Sequence, residues 1–152
     1  MSTRPHGDGP RLFTVAEANA LVPRLQLEFG TLARLRAEIE PLVGALGGAE
    51  VGLSVLEKGP GAAPGREAVA EKFQALVGEV NAAVERMNGL GCLVKDLEAG
   101  LVDFYHLREG EPVLLCWQFG EPAVTHWHDV EEGFDGRKPL EGVEVERPAF
   151  MN

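Results

Sequence analysis

The sequence predicts an α+β domain, a long antiparallel helical hairpin packed on a small antiparallel β-sheet. Three observations lead there. Apolar residues recur at steps of three and four in two long stretches, one before Gly47 and one between Arg66 and Leu90. A segment too rich in glycine and proline for a strand or helix pattern separates them. From Cys92 onward the pattern changes to short apolar runs divided by turn residues, as antiparallel strands require.

The first helix is expected to start at Thr14-Val15-Ala16-Glu17, which has the capping-box form. In that form a threonine hydroxyl and a glutamate three residues on satisfy amides left unpaired at a helix start. Leu21, Leu25, Phe29, Leu32, Leu35, Ile39, Leu42 and Leu46 then form one apolar stripe. Pro23 lacks the amide a helix interior uses, so a kink or restart is expected near it. Gly47-Gly48 closes the element, and residues 47–65 are expected to form a flexible loop, with Val51–Leu56 docking weakly and forming no element of its own. The second helix begins near Arg66, carries Val69, Phe73, Leu76, Val80, Val84 and Met87 on one stripe, and ends at Asn88-Gly89.

Expected strands are Leu93–Lys95, Leu101–Phe104, Val113–Phe119 and Ala123–Trp127. Val113 to Trp117 is apolar on both faces, so this strand should be central, with helices on one side and another layer, such as a second subunit, on the other. A homodimer is therefore expected. Residues 1–12 and 141–152 read as tails, the latter carrying a valine–glutamate alternation that suits an edge strand or a loose end.

At 152 residues and 45% hydrophobic, the chain suits a single domain with a genuine core that needs neither disulfide nor metal to fold. No run approaches the roughly 18 apolar residues of a membrane span, and the polar start resembles no signal peptide, so a cytoplasmic location is expected. Cys92 and Cys116 lie in apolar surroundings without Cys-x-x-Cys spacing and read as buried free thiols. The net charge of −10 is concentrated late, where thirteen acids between Asp96 and Glu146 face only Arg108, Arg137 and Lys138. Such a surface repels phosphate backbones, which argues against nucleic acid and leaves metal ions, cationic ligands or a basic protein partner.

Candidate chemistry collects between Cys116 and Asp129. His126-Trp127-His128 places two imidazoles on one face of a strand, where they can share a divalent ion such as Fe²⁺ or Zn²⁺. Asp103, Glu121, Asp129, Glu131, Glu132 and Cys116 are available as further ligands, while the plainer explanation makes the two histidines the polar face of an edge strand with Trp127 on its core face. Trp117 and Trp127, beside Glu121, are candidates to line a pocket for a flat or cationic small ligand, or to pack in a dimer interface. Asp103 sits inside an apolar strand and needs a partner; Arg137 is the expected counter-ion. No nucleophile elbow or phosphate-cradling loop is present, and the acidic stretch 129–136 lacks EF-hand spacing. Three functions compete: a divalent-metal protein, a non-catalytic interaction protein, and a small-ligand pocket.

At Lys95-Asp96, Gly100–Phe104, Cys116-Trp117, Gly120-Glu121-Pro122, Trp127-His128 and Gly133–Arg137, the chain resembles a small bacterial family catalogued as domain of unknown function 2203. The resemblance spans roughly Phe13 to Leu140. It implies a small cytoplasmic bacterial protein and no particular activity, and it places Asp103, Trp117, Glu121, His128 and Arg137 within the family motif, with His126 outside it.

Overall fold

The computed structural model describes residues 10–141, so the alternation at 143–146 and most of the N-terminal tail lie outside the described residues. Three helices, α1 (Val15–Leu46), α2 (Ala49–Lys58) and α3 (Glu67–Asn88), precede five strands. These are β1 (Leu93–Asp96), β2 (Leu101–Arg108), β3 (Glu111–Gln118), β4 (His126–Asp129) and β5 (Lys138–Pro139). The class is α+β, with an antiparallel sheet in the order β1-β2-β3-β4-β5. The residues group into two compact units, Gly30–Arg86 and the remainder.

The helical unit holds the C-terminal part of α1, α2 and most of α3. Arg66, just before α3, donates from Nη1 to the Leu46 carbonyl that ends α1, tying the two ends of the hairpin together (3.0 Å). Leu46, Val55, Ala63, Ala70 and Phe73 form its buried cluster, with Ile39, Leu42, Val43, Val69 and Val77 packed against them. Residues 49–58 are helical, which corrects the reading of that stretch as loop. Gly52 is the reason: a Cβ there would lie 3.3 Å from the Phe73 ring, so the missing side chain lets α2 approach α3 closely enough to bury Val55 completely. The chain bends by 98° between α1 and α2, and among the described residues no single helix is long and apolar enough to cross a membrane.

The other unit joins the N-terminal part of α1 to the sheet. The capping box is formed as expected: Glu17 N donates to Thr14 Oγ1 (3.0 Å) and Thr14 N donates to Glu17 Oε1 (2.9 Å). α1 runs unbroken for 32 residues, correcting the expected interruption at Pro23. Pro23 is exposed to solvent, and a helix tolerates proline best where the carbonyl that loses its partner is open to water. Val22, Leu25 and Phe29 face the sheet side, and Phe29 packs at 6.2 Å from Trp117 and 5.8 Å from Phe119.

β3 is central, as its two apolar faces require, and Val113 through Trp117 are all buried. Side chains on both of its faces are buried. A two-residue turn at Glu109-Gly110, both with positive φ (55° and 83°), joins β2 to β3 and sets Arg108 opposite Glu111. β4 occupies 126–129 in place of the expected 123–127. Asn19 on α1 accepts the Val124 amide at 2.7 Å, so 123–125 follow the helix instead of the ladder.

Candidate functional site

Strand pairing assembles the site. Counting back from the Glu109-Gly110 turn sets Asp103 on β2 opposite Cys116 on β3, and the next ladder sets Cys116 opposite His126 and Leu114 opposite His128. Cross-strand partners point to the same side of a sheet, and so do residues two apart. Asp103, Cys116, His126 and His128 therefore share one face, while Val102, Phe104, Leu115, Trp117 and Trp127 share the other.

On the first face, one potential ligand atom from each of Asp103, Cys116 and His128 lies within 4.8 Å of the other two, a spacing that suits one metal ion. All three residues are buried, at 3%, 1% and 2% exposure. His128 Nε2 is 3.3 Å from Asp103 Oδ2, and its Nδ1 lies 2.9 Å from the Asp129 carbonyl. That second contact puts the proton on Nδ1 in the neutral ring and leaves Nε2 as a ligand atom, or, if charged, as a partner for Asp103. Burial pushes the Asp103 carboxyl up, and His128 pulls it part of the way back. Burial, followed by the neighbouring Asp103, pushes the Cys116 thiol up to about 12. Cys116 is thus a protonated thiol donating to the carboxylate, unsuited to act as a free thiolate nucleophile.

The other candidate residues fall around this group in different ways. His126 lies outside the three-residue group; its Nδ1 is 3.0 Å from Thr125 Oγ1, and burial and Arg137 lower its pKa. Arg137 does not pair with Asp103, correcting the expected counter-ion. Its Nη2 meets both Glu121 oxygens (2.9 and 3.0 Å) and the Cys116 carbonyl (3.3 Å), while His128 takes the place beside Asp103. Glu121 also accepts the Gln118 amide, and its carbonyl accepts Trp117 Nε1. Trp117 is fully buried, its indole hydrogen bond satisfied by that carbonyl, so it serves the core. Trp127 is half-buried between two cations, with Arg108 Cζ 4.4 Å and Lys138 Nζ 4.7 Å from its ring centre. Cys116 completes the group, and the signal that reveals it is the two-residue turn, which fixes its register against Asp103.

A family model described as an uncharacterized conserved protein, DUF2203, matches residues 11–140. The chain belongs to DUF2203. No curated protein and no solved structure matches it. In this DUF2203 chain, the sequence segments that carry the resemblance come together in space: Asp103 with His128, Arg137 with Glu121, and Trp117 with the Glu121 backbone.

Proposed function

We propose that this protein binds a first-row divalent cation, Zn²⁺ or Fe²⁺, through His128, Cys116 and Asp103. The observation that carries the reading is the convergence of an imidazole, a thiol and a carboxylate from three strands within 4.8 Å of one another, all buried. A mixed N, S and O donor set favours these ions over Mg²⁺ or Ca²⁺, which prefer oxygen ligands. The thiol and carboxylate are held neutral or costly to ionise by burial, and a cation offsets that cost while displacing the Cys116 proton. Three protein ligands leave a fourth position for water or another ligand. His126, beside Cys116 in the ladder, is an outer neighbour of the site.

A second reading is favoured by the 3.3 Å His128–Asp103 contact: the pair is a buried structural bridge and binds nothing. Titration decides between them. Metal-stripped protein is titrated calorimetrically with Zn²⁺ and, as a spectroscopic probe, with Co²⁺. The metal reading expects one equivalent per chain, a thiolate-to-cobalt charge-transfer band, and loss of both in Cys116→Ala. Absence of heat and of the band in the parent protein leaves the structural bridge.

A further inference from the structure

We infer that the Arg137–Glu121 pair is a latch controlling access to the buried Asp103–Cys116–His128 group, so that a small solute or ion reaches Cys116 by local opening around Arg137 and not by unfolding of the sheet. For ions this rests on the metal reading above; for access to the thiol it stands without it. The ligand side chains are at most 5% exposed, so nothing can enter without movement. Cys116 lies on the central strand, whose ladders to β2 and β4 make it costly to displace. The segment after β4 is held far more lightly. Among the described residues, the backbone ties of Val130–Leu140 to other elements are the two-residue pairing of β5 with β4, the bond from Leu140 N to Thr125 O (2.9 Å) and the turn bond from Glu132 N to Asp129 O (2.9 Å) at the end of β4. Its remaining bonds are turns within itself or side-chain contacts.

Arg137 is the side chain that joins this segment to Cys116. One nitrogen, Nη2, reaches both Glu121 oxygens and the Cys116 carbonyl, and the side chain is 12% exposed. Its grip is incomplete: Nε is buried and has no partner among the described residues. An unsatisfied buried donor lowers the cost of swinging the guanidinium into water, where that donor regains a hydrogen bond. Glu121 is anchored on the opposite side, its carboxylate by Gln118 N and its backbone carbonyl by Trp117 Nε1 and Gln26 Nε2, so opening moves Arg137 away from a residue that stays in place.

The test is alkylation of the full chain by iodoacetamide, with Cys116 and Cys92 read separately by peptide mass spectrometry. Cys92 is the internal control: it is buried too, with its thiol toward the Met87 carbonyl and Arg11 as its neighbouring cation. Glu121→Gln and Arg137→Gln should each speed Cys116 alkylation at least about tenfold, the order expected from losing a charge-assisted hydrogen bond, with Cys92 unchanged. In the parent protein the Cys116 rate should be flat in low urea, as local opening exposes little surface. An unchanged Cys116 rate in both variants, or equal acceleration of Cys92, or a rate that climbs in urea with the global unfolding transition, overturns the latch. Co²⁺ uptake should quicken in the same variants. A parent that takes up no Co²⁺ overturns the metal reading alone, because the alkylation result does not depend on it.

Discussion

His128 and Asp103 meet over the central strand, from β4 and β2, with Nε2 3.3 Å from Oδ2 and neither side chain more than 5% exposed. Strands on either side of a third lie roughly 9–10 Å apart, so both side chains lean inward over β3. The contact ties three strands together on the face opposite Trp117.

Removing either member strands the other. His128→Ala and Asp103→Ala in metal-free protein should each lose about 3 kcal/mol, the order seen when one partner of a buried pair is deleted. Urea melts check this; a change under about 1 kcal/mol would show that water already reaches the pair.

Alkaline pH should weaken the fold through Cys92. Burial raises its thiol from 9.0 to about 11, so the folded state keeps a proton that the unfolded state gives up. Stability from this group is complete below about pH 9 and is lost as pH rises towards 11. Unfolding free energies of parent and Cys92→Ser, measured between pH 8 and 11, should converge as pH rises. Parallel curves would contradict the assignment.

Phe73 should dominate the helical unit. It is 5% exposed and its ring lies 3.3 Å from where a Cβ on Gly52 would sit, so Phe73→Ala is expected to cost about 3–5 kcal/mol in that unit. Gly52→Val should also destabilise, because its added carbons enter space held by the ring. Circular dichroism melts followed at helical wavelengths read both. A Gly52→Val protein as stable as the parent would mean that α2 can move off α3 at no cost.

Two glycines with positive φ should behave differently. Gly100 (φ 75°) would place a Cβ 2.5 Å from Phe119 Cβ, so Gly100→Ala combines backbone strain with a clash and should cost about 2 kcal/mol or more. Gly110 (φ 83°) has open space around it, and Gly110→Asn should cost under about 1 kcal/mol because asparagine tolerates this conformation. Thermal melts that rank the two equally would remove the clash from the account.

Local patterns in the chain were enough to determine its class and main elements. The stripes of α1 and α3, the Thr14–Glu17 capping box and the two-faced apolar run at Val113–Trp117 depend on neighbours a few residues apart, and they occur where local rules put them. What lay beyond sequence was decided by which distant groups meet. Pro23 is tolerated in α1 because its side of the helix meets water. Residues 49–58 become helix because Phe73 fits against Gly52, and β4 starts late because Asn19 captures Val124. The site follows the same division. Asp103, Glu121, His128 and Arg137 were recognisable as candidates from their residue types, but their pairing was not: charge alone suggests Arg137 for Asp103, whereas the β3–β4 register delivers His128 to it and leaves Arg137 to Glu121. A one-residue slip in that register would turn His128 to the opposite face and dissolve the group, which is why only the assembled sheet could determine it.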